Sequence, residues 1–313
     1  MCKRKSVLLI GGGGTLGTYT AYELLELGHS VDVICLEDKK SENKRLQYYK
    51  EYASTEFLQE LFANKHYDGI VNFIHYKEVE EYKPMHKLLI ENTEHLIFLS
   101  SYRVYSDLGK PITEETPMLL DISSDEEFLQ NEKYAISKAK CEKFLRSECE
   151  GQKWTIVRPV ISFSERRLDL IMCSGREIVE KTKAGETILL PKECKNLTAG
   201  LDWSGNTGKI IANLLFKKET YGEAYTITSA QGLKWGEVAD IYTELIGAKF
   251  RWVDMETYIK SGAIHPSGIW ALKYDRMYDR KIDNSKVLHA TNLQQEDFTS
   301  IRQGIQIELA KVL

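Results

Sequence analysis

Tyr134 and Lys138 are the residues of this 313-residue chain whose types and spacing most directly suggest chemistry. Four positions apart in the helical stretch Glu126 to Cys149, they place a phenol and an ammonium on one helix face, one turn from each other. With 17 tyrosines and 30 lysines among 313 residues, chance supplies about 1.6 such pairs, so spacing alone decides nothing. Position is more informative. The pair follows Ser100 and Ser101, which end an apolar strand-like segment that begins at His95. A free phenol titrates near ~10 and is a poor base at neutral pH, but a neighbouring cation favours the phenolate. Tyr134 can then take a proton from a substrate hydroxyl while Ser101 hydrogen-bonds the same oxygen.

A second motif points to what would accept a hydride from that substrate. Gly11-Gly12-Gly13-Gly14-Thr15-Leu16-Gly17 lies between a buried strand, Lys5 to Ile10, and a helix, Leu16 to Leu27. In that setting a dinucleotide pyrophosphate meets helix N-terminal N–H groups, and glycines let backbone and phosphate approach. Gly12, Gly14 and Gly17 satisfy one known spacing; Gly11, Gly14 and Gly17 satisfy a wider one, which we favour. Thr15 and Leu16 complete the loop. The second strand ends at Cys35-Leu36-Glu37-Asp38, where Glu37 can accept hydrogen bonds from ribose hydroxyls and repel a 2′-phosphate. That favours NAD, while Lys39, Lys40, Lys44 and Arg45 leave NADP open.

The elements that must position these groups alternate in type. After the first strand and helix come strand Ser30 to Leu36, helix Thr55 to Asn64, strand Gly69 to Ile74, helix Tyr82 to Glu91, strand His95 to Ser100, helix Glu126 to Cys149 and strand Trp154 to Val157. This alternation predicts an α/β fold with a doubly wound parallel sheet. Near Ser162 the rhythm loosens, with helices expected at Leu168 to Lys183 and Trp235 to Ile246. We expect a cofactor-binding domain over residues 1–161 and a smaller, mainly substrate-binding lobe over 162–313, some segments of which return to the sheet.

Composition narrows the function classes. Lys plus Arg total 42 against 46 Asp plus Glu, a net charge of −4, so no global positive field recruits nucleic acid or anionic lipid. No apolar run approaches the ~18 residues of a membrane span. The six cysteines form no C-x-x-C motif or zinc-spaced cluster, so reduced packing thiols, no metal and a cytoplasmic location are expected.

Taken together, Gly11-x-x-Gly14-x-x-Gly17, Ser100-Ser101-Tyr102-Arg103-Val104-Tyr105, Tyr134-x-x-x-Lys138 and Val157-Arg158-Pro159 resemble the extended short-chain dehydrogenase/reductases, in the NAD-dependent epimerase/dehydratase branch that acts on nucleotide sugars. The resemblance implies a Rossmann fold with a C-terminal substrate lobe. It makes Ser101, Tyr134 and Lys138 the catalytic hydroxyl, acid/base and lysine, has Lys138 hold the nicotinamide ribose, and puts Pro159 and Val160 beside the nicotinamide. Three departures stand out. The Asp-Glu pair of 4,6-dehydratases is replaced by Tyr102 and Arg103, the small pair after the fourth strand by Ile74 and His75, and the usual ribose Asp by Cys35.

Arg103, standing where a dehydratase carboxylate would face the sugar, is expected to contact substrate and to favour a uronic-acid nucleotide; a salt bridge to a loop is its alternative. His75 is expected to be a hydrogen-bonded structural histidine. The stretch Thr113 to Lys133, with seven acids, is expected to be a solvated loop, and Arg158, Arg166, Arg167, Arg251 and Arg280 are candidates for gripping a diphosphate. The leading expectation is an NAD-dependent nucleotide-sugar epimerase, with a homodimer as a possible assembly. A reductase or dehydrogenase with net hydride transfer, and a non-catalytic NAD- or RNA-binding relative, are its rivals.

Overall fold

The computed structural model describes residues 3–264 and 268–313. The chain opens with β1 (Ser6–Ile10), α1 (Thr15–Glu26), β2 (Ser30–Cys35), β3 (Leu46–Lys50), α2 (Thr55–Asn64), β4 (Gly69–Asn72), α3 (Val79–Glu91) and β5 (Leu96–Leu99). Short helices α4 (Leu119–Ile122) and α5 (Glu126–Asn131) precede the long α6 (Tyr134–Glu148) and β6 (Trp154–Pro159). There follow β7 (Ile161–Phe163), α7 (Gly175–Lys183), β8 (Thr187–Pro191), β9 (Leu201–Trp203), α8 (Ser204–Leu214) and β10 (Ala224–Ile227). The chain ends with α9 (Trp235–Ile246), β11 (Lys249–Val253), α10 (Met255–Lys260), α11 (Ile269–Ala271), α12 (Ser285–Thr291) and α13 (Ile301–Leu309).

Seven of these strands form one parallel sheet in the order β10-β6-β5-β4-β1-β2-β3. Successive side chains of a strand point to opposite faces, and in the middle of the sheet both faces are covered, so β1 and β5 read as apolar runs. Val7, Leu9, Val33 and Val71 face Ala21 and Leu24 of α1 and Ile210 and Leu214 of α8. Leu8, Ile10, Ile70 and Phe98 face Leu58 of α2, Tyr82 and Leu89 of α3 and Phe144 of α6. A Cβ on Gly208 of α8 would stand 2.6 Å from the Tyr19 carbonyl carbon, so a glycine there is what brings α8 against the α1 backbone. Strand order reverses between β1 and β4, which opens a crevice beyond their carboxyl ends.

The second lobe packs around Ile178, Leu190, Trp235, Val238, Tyr242 and Ile305, in a core continuous with Tyr102, Tyr105 and Val160 of the first part of the chain, and carries the parallel pairs β8/β11 and β7/β9. Residues beyond 161 also complete the main sheet, as β10 beside β6. The buried Glu308 of α13 ties the lobes together. It accepts hydrogen bonds from Trp203 Nε1 (2.7 Å), the Glu165 backbone N–H (2.8 Å), Lys311 Nζ (2.8 Å) and the Tyr19 hydroxyl of α1.

Three local expectations need correction. β3 was not anticipated, because of its five residues only Leu46 is buried. The helix expected over Glu126 to Cys149 is two, since Glu132 turns back to accept N–H bonds from Ala135 (2.5 Å) and Ile136 (3.2 Å) and starts a new helix. The helix expected from Leu168 begins only at Gly175, where Ser174 Oγ accepts from Glu177 N; Ile171 before it takes a positive φ of 56° that no helix contains.

Candidate functional site

The glycine loop is built by exclusion. Gly11 has φ +72°, and a Cβ on Gly12 would lie 2.8 Å from Leu9 Cβ. A Cβ on Gly17 would overlap the Gly12 backbone, so α1 starts hard against its own loop. Gly14 differs: a Cβ there meets nothing within 4 Å. Gly14 is also the N-cap of α1, with no side chain closing that helix end and no acidic residue in its first turn. Backbone conformation explains Gly11 and packing explains Gly12 and Gly17, while the open side of Gly14 is what an incoming anion needs.

Two cavities meet at this point. One of about 420 Å³ is walled by Gly11, Gly14, Thr15, Leu16, Gly17, Ser101, Arg103, Tyr134, Pro159 and Val160, with Arg167 and Arg276 from the second lobe. The other, of about 320 Å³, runs from Gly11, Gly13 and Gly14 past Cys35 to Glu37, Tyr52 and Ile74. Both volumes lie within the range of small-molecule sites, ~300 to 1,000 Å³. Joined at Gly11 and Gly14, they suit a two-part ligand whose middle is a diphosphate. Most of the expected binding residues are therefore brought together.

Ser101 stands at the end of β5 and is almost fully buried; its Oγ accepts from the Arg103 backbone N–H at 3.2 Å. Tyr134 is the first residue of α6, half-buried between two side chains. The His75 ring centre lies 5.0 Å from that of Tyr134, and the Arg103 guanidinium carbon lies 5.2 Å from the Tyr134 centroid. His75 Nε2 is 2.8 Å from Ser137 Oγ, which in turn donates to the Tyr134 carbonyl. Burial lowers the His75 pKa, helped by Lys138, so the ring is neutral at pH 7 and acts as a hydrogen-bonded prop.

Lys138 is placed differently from the other site residues. It lies one turn beyond Tyr134, but its ammonium is buried under the Phe98 ring and donates to the carbonyls of Leu99 and Ile74 (3.1 Å). It forms no part of the cavity wall. Burial pushes its pKa down to about 8. Here Lys138 pins the ends of β4 and β5, and the cation lying against the Tyr134 ring is Arg103.

Arg103 itself is engaged. Its guanidinium donates to Glu132 Oε1 at 3.1 Å, and Glu132 caps the first turn of α6. A substrate carboxylate would have to compete with that pair, which removes the main reason to expect a uronic-acid preference. The acidic stretch is likewise not simply solvated: Glu132 is buried, Glu114 accepts from Thr226 N (2.6 Å), and Asp125 caps α5 and pairs with Lys273.

The candidate diphosphate arginines separate cleanly. Arg158 is 1% exposed and bound to Glu142 and Tyr105, and Arg280 is buried among Asp275 and backbone carbonyls, so neither reaches the cavity. Arg251 lies on β11, away from both cavities. Arg167 lines the larger cavity, and Arg166 sits at Glu37. Arg276 was not anticipated: it reaches the larger cavity from the second lobe, and burial lowers its pKa to about 10. Glu142 was also missed, although Tyr134, Lys138 and Glu142 repeat at four-residue spacing along one helix face. Its carboxylate takes the Ser100 hydroxyl and the Arg158 guanidinium, which fixes the strand end that presents Ser101. The five cysteines within the described residues are free and buried, while Cys2 lies outside them.

No family model matches the chain. UDP-glucose 4-epimerases from Neisseria meningitidis serogroups A and B are each 28% identical over 142 and 141 residues. The match covers 36% of this chain and 42% of each relative's length, so it spans less than half of those enzymes. Among solved structures, the epimerase Mth375 from Methanothermobacter thermautotrophicus has a TM-score of 0.71 at 16% identity, covering 97% of this chain and 91% of that one. The Bordetella bronchiseptica enzyme WbmG in complex with NAD has a TM-score of 0.70 at 15% identity, covering 99% and 94%. The Thermus thermophilus UDP-glucose 4-epimerase complex with NAD has a TM-score of 0.68 at 16% identity, covering 97% and 98%. At these identities the solved structures establish the fold: a Rossmann-like parallel α/β sheet followed by a smaller C-terminal lobe, shared with those epimerase structures.

Proposed function

We propose that this chain is an NAD-dependent nucleotide-sugar epimerase that works through a transient keto sugar. The observation that carries the reading is one cavity wall: Ser101 and Tyr134 share it with the open N-terminus of α1 at Gly14. That arrangement places a proton-transfer pair beside an anion site, as removal of hydrogen from a sugar carbinol requires. NAD bound there would supply the hydride acceptor and donor. Gly11, Gly14, Thr15, Leu16 and Gly17 would hold its diphosphate, Glu37 the adenosine ribose, and Pro159 and Val160 the nicotinamide end.

The chain's own groups do the rest. Tyr134 takes the hydroxyl proton as the carbon is oxidised and gives it back when the ketone is reduced from its other face. Ser101 donates a hydrogen bond to the same oxygen, and His75 and Arg103 keep the phenol from swinging out of line. Lys138 contributes by fixing the Leu99 carbonyl one residue from the Ser100-Ser101 pair. Arg167, paired with Asp169, and Arg276, paired with Asp275, line the larger cavity and would have to exchange those partners to hold the sugar nucleotide's diphosphate. The matched relatives, named as UDP-glucose 4-epimerases, support this substrate class.

The test is to supply purified protein and NAD with UDP-, dTDP- and GDP-sugars and to follow products by NMR alongside absorbance at 340 nm. An epimerised sugar with no net change at 340 nm is expected. Stoichiometric NADH formation would instead establish a dehydrogenase.

A further inference from the structure

Glu37 is not alone at the end of β2. Its Oε1 accepts from Arg166 Nη1 at 3.1 Å, and the same nitrogen lies 3.4 Å from the Gly13 carbonyl oxygen. Arg166 arrives from the second lobe, in the loop after β7, and closes onto a residue 129 positions earlier. Lys39 adds a second cation, donating from Nζ to the Gly13 carbonyl at 2.6 Å. The Glu37 pKa is lowered, first by its own backbone N–H and then, against desolvation, by Arg166 and Lys39. The carboxylate that borders the smaller cavity is therefore ionised and already neutralised by a guanidinium from the other lobe.

This arrangement bears on which adenosine the cavity admits. An unpaired acid at this position accepts a 2′-hydroxyl and rejects a 2′-phosphate, whereas an arginine nearby accommodates the phosphate. Here both determinants are present and paired to each other. Side chains on the two partners are 47% and 44% exposed, so the ion pair contributes little and either partner exchanges readily for a ligand group. Glu37 can turn to a ribose hydroxyl, or Arg166 can turn its planar fork to phosphate oxygens. We infer that Arg166 is a specificity-determining residue of the adenosine end, and that through it the site accepts NADP as well as NAD. This inference rests on the reading of the glycine-loop cleft as a dinucleotide site.

The experiment is calorimetric titration of the purified chain with NAD, NADP, 5′-AMP and adenosine 2′,5′-bisphosphate, the last two probing the adenosine end alone. Wild type should bind NAD and NADP with dissociation constants within about thirtyfold of each other. Arg166→Ala should weaken NADP and the bisphosphate by about tenfold or more, while NAD and 5′-AMP change less than about threefold. Glu37→Gln should do the reverse, weakening NAD and sparing NADP. Unchanged melting temperatures confirm that the substitutions act locally. A wider wild-type gap overturns the inference, as does equal weakening of both cofactors in Arg166→Ala, or loss of NADP binding in Lys39→Ala with Arg166→Ala unaffected. Wild type that binds neither cofactor overturns the assignment of the cleft itself, and is thereby told apart from failure of the Arg166 assignment.

Discussion

Gly14→Ala and Gly17→Ala add the same methyl group three residues apart and should fail in opposite ways. At Gly14 the backbone is extended (φ −82°, ψ −170°), open to any residue, and the new Cβ meets no protein atom within 4 Å. Removing a glycine stiffens the unfolded chain by about 0.4 to 1 kcal/mol in favour of folding, while alanine is a poorer N-cap than glycine by a similar amount. These offset, so the melting temperature should stay within a few degrees. The methyl does fill the space through which, in the proposed site, a diphosphate would approach the α1 N–H groups. Losing one hydrogen bond to a charged group costs about 1.5 to 3 kcal/mol, a loss of roughly 10- to 150-fold in NAD affinity. At Gly17 the methyl would collide with the Gly12 backbone, which cannot move without displacing β1, so the protein itself should be destabilised by several kcal/mol. Calorimetric NAD titration and thermal melts on both variants read the two effects separately. Wild-type NAD affinity in Gly14→Ala, or a Gly17→Ala protein as stable as wild type, would refute this division of the loop into a ligand glycine and a packing glycine.

Tyr134→Phe keeps the ring between His75 and Arg103 and should lower turnover by about 10²- to 10⁴-fold with little change in melting temperature; near-normal turnover removes Tyr134 from the mechanism. Glu142→Gln leaves the Arg158 guanidinium buried and unpaired, and should cost about 3 to 5 kcal/mol in urea denaturation. For Lys138 the folded-state pKa of about 8 lies below the unfolded value of 10.5, so the unfolded chain binds the extra proton between those values. Stability contributed by this position therefore rises with pH through that window. The stability difference between wild type and Lys138→Met, measured by denaturant titration at pH 7.5, 8.5 and 9.5, should shift steadily in favour of wild type. A difference that stays flat would show that the ammonium is not desolvated.

What could be read from the sequence followed from local pattern, and what could not depended on depth and on distant partners. The run Val7 to Ile10 followed by four glycines signals strand, loop and helix N-terminus at once, because apolar length and missing side chains both act locally. Leu46 to Lys50 carries no such signal: an edge strand buries little, and its tyrosines read equally well as loop. Ser174 three residues before Glu177 is a helix-start signature that marks where α7 begins, yet the apolar residues from Leu168 mask it. In the site, four-residue spacing gives the face shared by Tyr134 and Lys138 but not the depth of the second residue, since helix position says nothing about which carbonyls await the ammonium. Arg158 is the same case in reverse. An arginine beside a cofactor strand suggests phosphate until the fold brings Glu142 to it, and Arg276, remote in sequence from every motif, becomes visible only when the second lobe closes over the cavity.

In the proposed reaction one oxygen-bound hydrogen and one carbon-bound hydrogen leave the sugar and return to it within a single turnover. A nucleotide sugar found to be epimerised, labelled with deuterium at the carbon that inverts, tests this directly when turned over in ordinary water with unlabelled NAD. The label is expected to stay in the product at the inverted carbon, with none on the released cofactor. Label lost to water, or accumulated on free NADH, would contradict it.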